Sequence, residues 1–169
     1  RAEAWQREEG VERILAVLEG CLRFDALGST SKERFERMLT PLSGLLDQLG
    51  SVSAGHRARV TLALGNLLGE LAVAVEAGTG SSLLWRPLNH QLLLRSRHAA
   101  AGVRCAALKC CLALASRLGD EYNALVPETL PYVVEALEDG DEEAEGAARA
   151  LVAEIEGLLG QSLAEYLDQ

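Results

Sequence analysis

The chain has 169 residues, a net charge of -9, 49% hydrophobic residues and 4% aromatic residues. This length and hydrophobic content suffice for one buried core, and the scarcity of aromatic residues favours helices packed through Leu and Ala over a sheet. An acidic chain is poorly suited to general nucleic-acid binding, because affinity for phosphate comes from clustered Lys and Arg. We therefore expect a single all-α domain over residues 1–169.

Charged residues recur along the whole chain. No stretch of about 18 residues lacks them, so we expect no membrane-spanning segment, and residues 1–9 are too charged for a secretory signal. The sequence begins with Arg1 rather than Met. We expect it to be a piece of a longer protein.

Apolar residues at helical spacing predict two helices in the first third of the chain. The first covers residues 11–24. Thr30 and Glu33 have the spacing of a capping box, which predicts that the second helix begins there and runs to Leu49. Pro41 lies inside this run and should kink it.

A third helix is predicted over residues 57–75. Gly65 and Gly69 are four residues apart on one of its faces, a spacing that should let a neighbouring helix approach closely. The segment 77–82 has the Gly and Ser content of a phosphate-binding loop, but it lacks the lysine and the preceding strand. We interpret it as a linker.

Two further helices are predicted over residues 83–97 and 101–118. The second is apolar nearly all round, so we expect it to be buried on most faces and to be the central helix. The four cysteines of the chain are Cys21, Cys105, Cys110 and Cys111. They lack C-x-x-C spacing and the density of a disulfide framework, so we expect core thiols in a reducing compartment.

The last third predicts two long helices and a short one. A helix that begins near Pro127 should close near Asp139. Asp141 is placed to cap the next helix, whose apolar stripe runs over residues 144–159. Residues 162–167 predict a last short helix that covers the open end of the fold.

A repeat of 41 residues relates the last two long apolar helices. Val103, Arg104, Ala106, Ala107, Leu114, Leu118 and Gly119 recur as Ala144, Glu145, Ala147, Ala148, Ile155, Leu159 and Gly160. A fainter third copy at the same offset ends at Gly78. A period of about forty residues built from two helices is typical of HEAT- or armadillo-type solenoids. We predict a right-handed, HEAT-type α-solenoid of three to four stacked antiparallel helix pairs, with Leu112 and Ile155 buried in successive cores.

No pattern predicts catalysis or a bound cofactor. His56, His90 and His98 share no metal-ligand spacing, and the acidic run 139–145 lacks the Gly and Glu of an EF-hand loop. No nucleophile motif and no desolvated carboxylate pair is indicated. We expect no enzyme, no cofactor, no metal and no small-molecule substrate.

Charge is divided sharply along the second half. Residues 86–119 carry six basic residues and no acid, whereas residues 120–169 carry fourteen acids and one arginine. The candidate RNA or partner contacts in this basic band are Arg95, Arg97, Arg104 and Lys109. The candidate acidic partner-docking face consists of Glu138, Asp139, Asp141, Glu142, Glu143 and Glu145.

Several runs of the second half resemble one known family. They are residues 88–98 (LNHQLLLRSRH), 103–109 (VRCAALK), 118–122 (LGDEY), 125–131 (LVPETLP), the acidic 138–145, and 159–167 (LGQSLAEYL). In combination they resemble the C-terminal region of the large HEAT-repeat subunit of the small-subunit processome. This is the nucleolar particle that contains the U3 small nucleolar RNA and folds and cleaves pre-ribosomal RNA.

The resemblance implies a nucleolar scaffold in early maturation of the small-subunit rRNA. Two interpretations stay open: a scaffold that contacts other processome proteins, and a module that contacts pre-rRNA or small nucleolar RNA through the basic band. A generic HEAT adaptor outside ribosome assembly is a further alternative. We favour protein contact, because a HEAT arginine such as Arg104 commonly pairs with acids of the adjoining repeat, and Glu145 stands at its equivalent position.

Overall fold

The structure, a computed structural model, describes residues 2–25 and 30–164. Its seven α-helices are α1 (Ala2–Arg23), α2 (Lys32–Gln48), α3 (Ala54–Thr79), α4 (Trp85–Arg95), α5 (Ala101–Leu118), α6 (Val126–Leu137) and α7 (Glu142–Leu159). Three 3-10 segments, Leu49–Ser51, Ser82–Leu84 and Gly119–Leu125, precede α3, α4 and α6. No strand occurs in these described ranges, and the prediction of an all-α protein is confirmed.

The helices lie in two rows. In one row α1 contacts α3, α3 contacts α5, and α5 contacts α7; in the other, α2 contacts α4 and α4 contacts α6. Contacts between α2 and α3, between α4 and α5, and between α6 and α7 join the rows. The apolar faces of both rows enclose one continuous core.

The central helix is α5, as predicted, and it begins and ends at the predicted residues. It packs against α3, α4 and α7, because it is apolar on most sides. Cys110 and Cys111 are fully buried in it, and burial raises the pKa of the Cys110 thiol to about 12. Cys105 is buried as well, but the expectation of a core thiol is wrong for Cys21, which is exposed on α1.

Small residues set the distance between α3 and α5. A Cβ atom added at Gly65 would lie 3.0 Å from the Cβ atom of Ala113, and one added at Gly69 would lie 2.9 Å from the Cβ atom of Arg117. These separations are tighter than ordinary van der Waals contact between carbon atoms. The close approach that the glycine spacing predicts is confirmed.

The helix starts agree with the predictions at α7 and differ by one residue at α2. The side chain of Asp141 caps α7 by accepting a hydrogen bond from the backbone N–H of Ala144 at 3.0 Å. At α2 the cap is Ser31, not Thr30, because the Ser31 hydroxyl accepts from the N–H of Arg34 at 3.3 Å. The Thr30 hydroxyl instead donates to a side chain of the preceding segment, Asp25, at 3.2 Å.

The ends of α5 and α7 bear out the repeat. Gly119 and Gly160 follow these helices with φ of 58° and 65°, a left-handed region that favours glycine. The corresponding glycine after α3 is Gly80, with φ of 68°. The third copy that was predicted to end at Gly78 is therefore wrong by two residues, because α3 continues to Thr79.

The two core positions predicted from the repeat differ in burial. Ile155 is fully buried, as predicted, whereas Leu112 is only partly buried. Leu112 lies with Lys109 and Leu62 along a shallow groove between α3 and α5. Because α5 packs against other helices on its other sides, the side that carries Lys109 and Leu112 faces the solvent.

By length and composition alone, α3 is long and apolar enough to cross a membrane. We expected no such helix, because charged residues recur along the whole chain. In the fold, 67% of its most apolar 18-residue window is buried. This burial is typical of a core helix that packs against other helices of the same protein.

The predicted last helix lies partly outside the described residues. Leu163 is buried with 2% of its surface exposed and belongs to the core. Tyr166 and Leu167, which were predicted to cover the end of the fold with it, lie outside the described ranges.

The unequal burial of Ile155 and Leu112 predicts unequal costs of truncation. Ile155→Ala should lower the free energy of unfolding by about 2–5 kcal/mol, because it leaves a cavity between α5 and α7. Leu112→Ala should cost about 1 kcal/mol, because water already reaches this side chain. Urea unfolding of both variants provides the test, and equal losses would contradict the register described here.

Candidate interaction surfaces

Most cations of the basic band form ion pairs with acids of the same chain. Four of its six cations pair with a carboxylate on another helix or on the segment that follows one. The pairs are Arg95 with Asp47, Arg97 with Glu135, Arg104 with Asp139, and Arg117 with Glu70. In each pair a planar guanidinium contacts both carboxylate oxygens, the geometry in which such contacts are strongest.

The pair between Arg104 and Asp139 is the most buried of those that involve a predicted contact residue. The Nε and Nη2 atoms of Arg104 donate to the two Asp139 oxygens at 2.6 and 2.7 Å, and the two side chains are 20% and 7% exposed. Nη1 of Arg104 also donates to the backbone carbonyls of His98 and Ala99, both at 3.0 Å. Arg104 thereby ties the turn before α5 to the end of α6.

The hydrogen bond from Arg104 lowers the pKa of the Asp139 carboxyl below its ordinary value. The backbone N–H of Asp141 adds a further hydrogen bond to Oδ1 of Asp139 at 2.9 Å. Asp139 is therefore held in its ionised form by the fold.

Arg95 and Arg97 make the corresponding contacts in the row formed by α2, α4 and α6. Arg95 donates to Asp47 of α2 at 2.9 and 3.0 Å. Arg97 donates to Glu135 of α6 at 2.5 and 2.7 Å, and its guanidinium lies 4.0 Å from the centre of the Tyr132 ring. These two cations link α4 and the turn after it to both neighbours in the row.

Arg117 and Arg23 share one acid of α3, Glu70. Arg117 donates to both Glu70 oxygens at 3.1 Å, and Nε of Arg23 donates to Oε1 at 3.3 Å. Glu70 is 6% exposed, and the hydrogen bond from Arg117 lowers its pKa. One buried carboxylate thus connects α1, α3 and α5.

Lys109 differs from the other candidate contacts. It is exposed on α5 and forms no ion pair within residues 2–25 and 30–164. It lies near the thiol of Cys105 and at the edge of the groove that Leu112 lines. Of the four predicted RNA or partner contacts, Lys109 is the one whose charge is not paired within the described chain.

Some residues of the acidic partner-docking face also make contacts within the fold. Asp139 is bound by Arg104, and Asp141 caps α7, so both have roles inside the fold. Glu138 is exposed beside them.

The remaining acidic candidates lie in the first turn of α7, where the positive end of the helix dipole favours acids. Glu143 pairs with Arg57 at 3.5 Å, and Glu145 pairs with Arg149 at 2.5 Å within the helix. Glu142 is exposed.

The sequence gives little sign of one buried polar cluster between α4 and α6. The Tyr122 hydroxyl donates to Oδ1 of Asn89 at 3.1 Å, and Nδ2 of Asn89 donates to Glu128 at 2.9 Å and to Thr129 at 3.2 Å. Burial raises the pKa of Tyr122 and keeps its phenol protonated. The only available signal was that these residues fall inside the runs that carry the family resemblance.

No three His, Cys, Asp or Glu side chains converge to hold a metal ion in the part of the chain that the structure describes. The arrangement is one of paired charges between helices. It joins neighbouring helices.

Comparison with known proteins connects this chain to two named relatives. It is 36% identical to the human HEAT repeat-containing protein 1 over 156 residues, a match that covers 90% of this chain. It is 33% identical to the zebrafish (Danio rerio) protein of the same name over 156 residues, a match that covers 92% of this chain. It is 42% identical over 78 residues, 46% of the chain, to U3 small nucleolar RNA-associated protein 10 of Phaeosphaeria nodorum. The chain is homologous to these proteins. The family resemblance found in the sequence is confirmed.

The matched part is a small share of each relative. The chain spans 7% of the human and zebrafish HEAT repeat-containing protein 1 and 5% of the fungal protein. No family model matches the chain. No solved structure matches it either.

The pairing of Arg104 with Asp139 predicts a pH-dependent contribution to stability. Because the folded-state pKa of Asp139 is lowered, its contribution is present above the unfolded-state value near 3.8 and is lost as the pH falls through the folded-state pKa. Asp139→Asn should cost on the order of 2 kcal/mol at neutral pH, and the difference from the parent should shrink in acid.

The matched control is Glu138→Gln, the same loss of charge one residue earlier on an exposed side chain. It should change stability by less than about 0.5 kcal/mol. Urea unfolding of both variants over a pH series tests the assignment, and equal losses at neutral pH would refute it.

Proposed function

We propose that this chain is a non-catalytic scaffold segment of the small-subunit processome, acting in early pre-rRNA processing and small ribosomal subunit biogenesis mainly through protein–protein contacts. The observation that carries the proposal is its homology to HEAT repeat-containing protein 1 and to U3 small nucleolar RNA-associated protein 10. On this proposal the protein acts in the nucleolus, and the chain corresponds to the C-terminal region of the longer relatives.

The proposed architecture is a right-handed HEAT-type solenoid in one domain of three to four antiparallel helix pairs. Contacts at two recurring sequence offsets support it, one in each half of the chain. Glu12 to Arg59, Arg23 to Glu70, and Glu70 to Arg117 are each 47 residues apart. Further along, Arg97 to Glu135 and Ser116 to Glu154 are each 38 residues apart.

Such offsets arise when each helix pair stacks on the next in the same way. A stack of this kind offers an extended surface for partners rather than a closed reaction pocket. The internal pairing of the charges therefore supports a structural and protein-binding role.

Charge supports protein contact over RNA contact. Arg95, Arg97 and Arg104 would have to leave a bidentate carboxylate partner before they could bind phosphate. The residues 120–169 beside them carry a large excess of acid, which repels the RNA backbone. Such a surface suits a basic protein partner, whose approach the acidic end would steer.

Affinity capture from nuclear extract tests the proposed role directly. The tagged chain should retain other processome proteins both before and after RNase treatment, because the contacts are between proteins. Identification of the retained proteins by mass spectrometry gives the readout. Complete loss of the processome proteins after RNase would favour an RNA-contacting module, and retention of proteins from unrelated assemblies alone would favour a generic HEAT adaptor.

Titration of labelled pre-rRNA spacer with the chain at physiological salt tests the alternative that the chain contacts RNA directly. We expect affinity no better than the non-specific range of about 10⁻⁴ to 10⁻⁶ M, with no change when Arg95 and Arg97 are both replaced by Ala. Sub-micromolar, sequence-dependent binding that the double replacement abolishes would overturn the protein-scaffold role in favour of direct RNA recognition.

A further inference from the structure

A shallow groove runs between α3 and α5, which lie side by side in the same row of helices. The two helices run parallel, because Gly65 lies against Ala113 and Gly69, one turn later, lies against Arg117. The groove has a volume of about 400 Å³, and ligand pockets commonly have about 300–1,000 Å³. Its lining residues are Ala58, Thr61, Leu62, Lys109, Leu112 and Ala113.

Most of the groove surface is apolar. Leu62 is 67% exposed although it lies near the middle of α3. Ala58 is exposed one turn earlier, and Leu112 of α5 is partly buried across the groove. Single exposed leucines are common, but here apolar side chains of two helices line one depression. A groove of this kind is typical of sites that receive the apolar face of another helix.

One cation, Lys109, lies at the edge of this apolar surface. It is exposed, and it forms no ion pair within residues 2–25 and 30–164. Its ammonium group lies near the thiol of Cys105. Glu143 also lies near this thiol, but its carboxylate pairs with Arg57 at 3.5 Å. The groove therefore presents a positive charge that the described chain does not balance.

The neighbouring junctions of the same row carry polar links that this groove lacks. Between α1 and α3, Arg59 donates to Glu12 at 2.9 Å, and between α5 and α7, Ser116 donates to Glu154 at 2.8 Å. Across the groove from Lys109, the exposed side chains of α3 are Ala58 and Leu62, which have no acceptor atoms. An acid that complements Lys109 would have to come from outside the described residues.

The combination of an apolar groove and one cation distinguishes between classes of partner. The phosphate backbone of RNA would meet Lys109 but would leave Leu62 and Leu112 without an apolar partner. An amphipathic helix presents apolar side chains at positions i, i+3 or i+4, and i+7, and a glutamate beside them reaches a lysine at the edge of the groove.

We propose that the groove between α3 and α5 binds an amphipathic helix of a partner protein, with apolar side chains of that helix against Leu62 and Leu112 and one of its carboxylates on the Lys109 ammonium. The proposal rests on the protein-contact role proposed above and specifies one contact of that role. No residue of the acidic partner-docking face lines the groove, so a basic partner at that face and an acidic helix here occupy different surfaces.

The test is a titration of the ¹⁵N-labelled chain, followed by NMR, with the helical peptide acetyl-AELAALEAELAALEA-amide. Its leucines follow the spacing of one helix face, and its glutamates flank them. The matched control is acetyl-AKLAALKAKLAALKA-amide, which has the same leucines and the opposite charge. The glutamate peptide should shift the backbone amides of residues 58–62 and 109–113 more strongly than the lysine peptide does.

The net charge of -9 makes this comparison demanding. General electrostatic attraction to the chain favours the lysine peptide. A preference of the groove amides for the glutamate peptide therefore reports the local charge of Lys109 and not the charge of the whole chain.

Two variants of the groove complete the experiment. Lys109→Glu should weaken binding of the glutamate peptide about three- to fivefold and strengthen binding of the lysine peptide at the same amides. Leu62→Ala should weaken binding of both peptides at these amides by about fivefold, because it removes apolar contact area.

Each variant has a matched control on another surface. Lys32→Glu changes an exposed lysine of α2, and Leu83→Ala shortens a leucine that is 66% exposed, close to the 67% of Leu62. Both controls should bind like the parent. The thermal midpoint of every variant should equal that of the parent, because each replaced side chain is exposed.

Several results would overturn the proposal. These are stronger shifts of the groove amides with the lysine peptide in the parent, or unchanged affinity of the glutamate peptide in either Lys109→Glu or Leu62→Ala. Shifts of the groove amides that depend on the concentration of the chain alone would assign the groove to a second copy of the chain and would also overturn it.

The peptide titration and the affinity capture fail separately. A chain that binds the glutamate peptide in the groove but retains no processome protein keeps the groove as a helix site and loses the processome role. A chain that retains processome proteins but shows no preference for the glutamate peptide keeps the role and loses this contact.

Discussion

The burial of α5 on most of its sides is the constraint on which the rest of the structure depends. This helix packs against α3 through the close approach at Gly65 and Gly69, and against α4 and α7 on its other sides. Leu108, Cys110 and Leu114 within it are fully buried. A helix with so little exposed surface leaves room for polar groups only at its ends and along one outward strip.

The charges of the chain follow from this arrangement. Arg104 near the start of α5 and Arg117 near its end each reach a carboxylate on another helix or the segment after it, and Arg95 and Arg97 do the same from α4 and the turn that follows it. A basic stretch of sequence therefore becomes a set of links between stacked helices. The charge of Lys109 is not used in this way within the described residues.

The sequence predicts most of the fold, because the fold is built from local helical signals. The bounds of α5, the capping role of Asp141 and the close packing at Gly65 follow from spacing and residue type alone. The cap at Ser31 was missed because Thr30 has a glutamate three residues on, Glu33, as a capping box requires, whereas Ser31 has Arg34 at that position. Which of them caps α2 depends on the bond that Thr30 makes to Asp25.

The contacts between helices were harder to predict. The exposure of Leu112 depends on the angle and stagger at which α3 crosses α5, and α3 extends beyond the end that the repeat predicted. Similarly, the repeat pointed to an acid at the position of Glu145 for Arg104, but the fold brings Asp139 to it. The groove that contains Leu62 and Lys109 joins residues far apart in sequence, so no local pattern could reveal it.

Native-state hydrogen exchange of the backbone amides tests the central role of α5 most directly. Amides of buried helices exchange only when the surrounding structure opens, so the slowest amides report the part of the fold that opens last. We predict that residues 103–114 exchange most slowly, with a free energy of opening equal to that of global unfolding measured with denaturant. Exchange in these residues that is as fast as in α1 would contradict the account, because it would show that α5 opens without disrupting the helices around it.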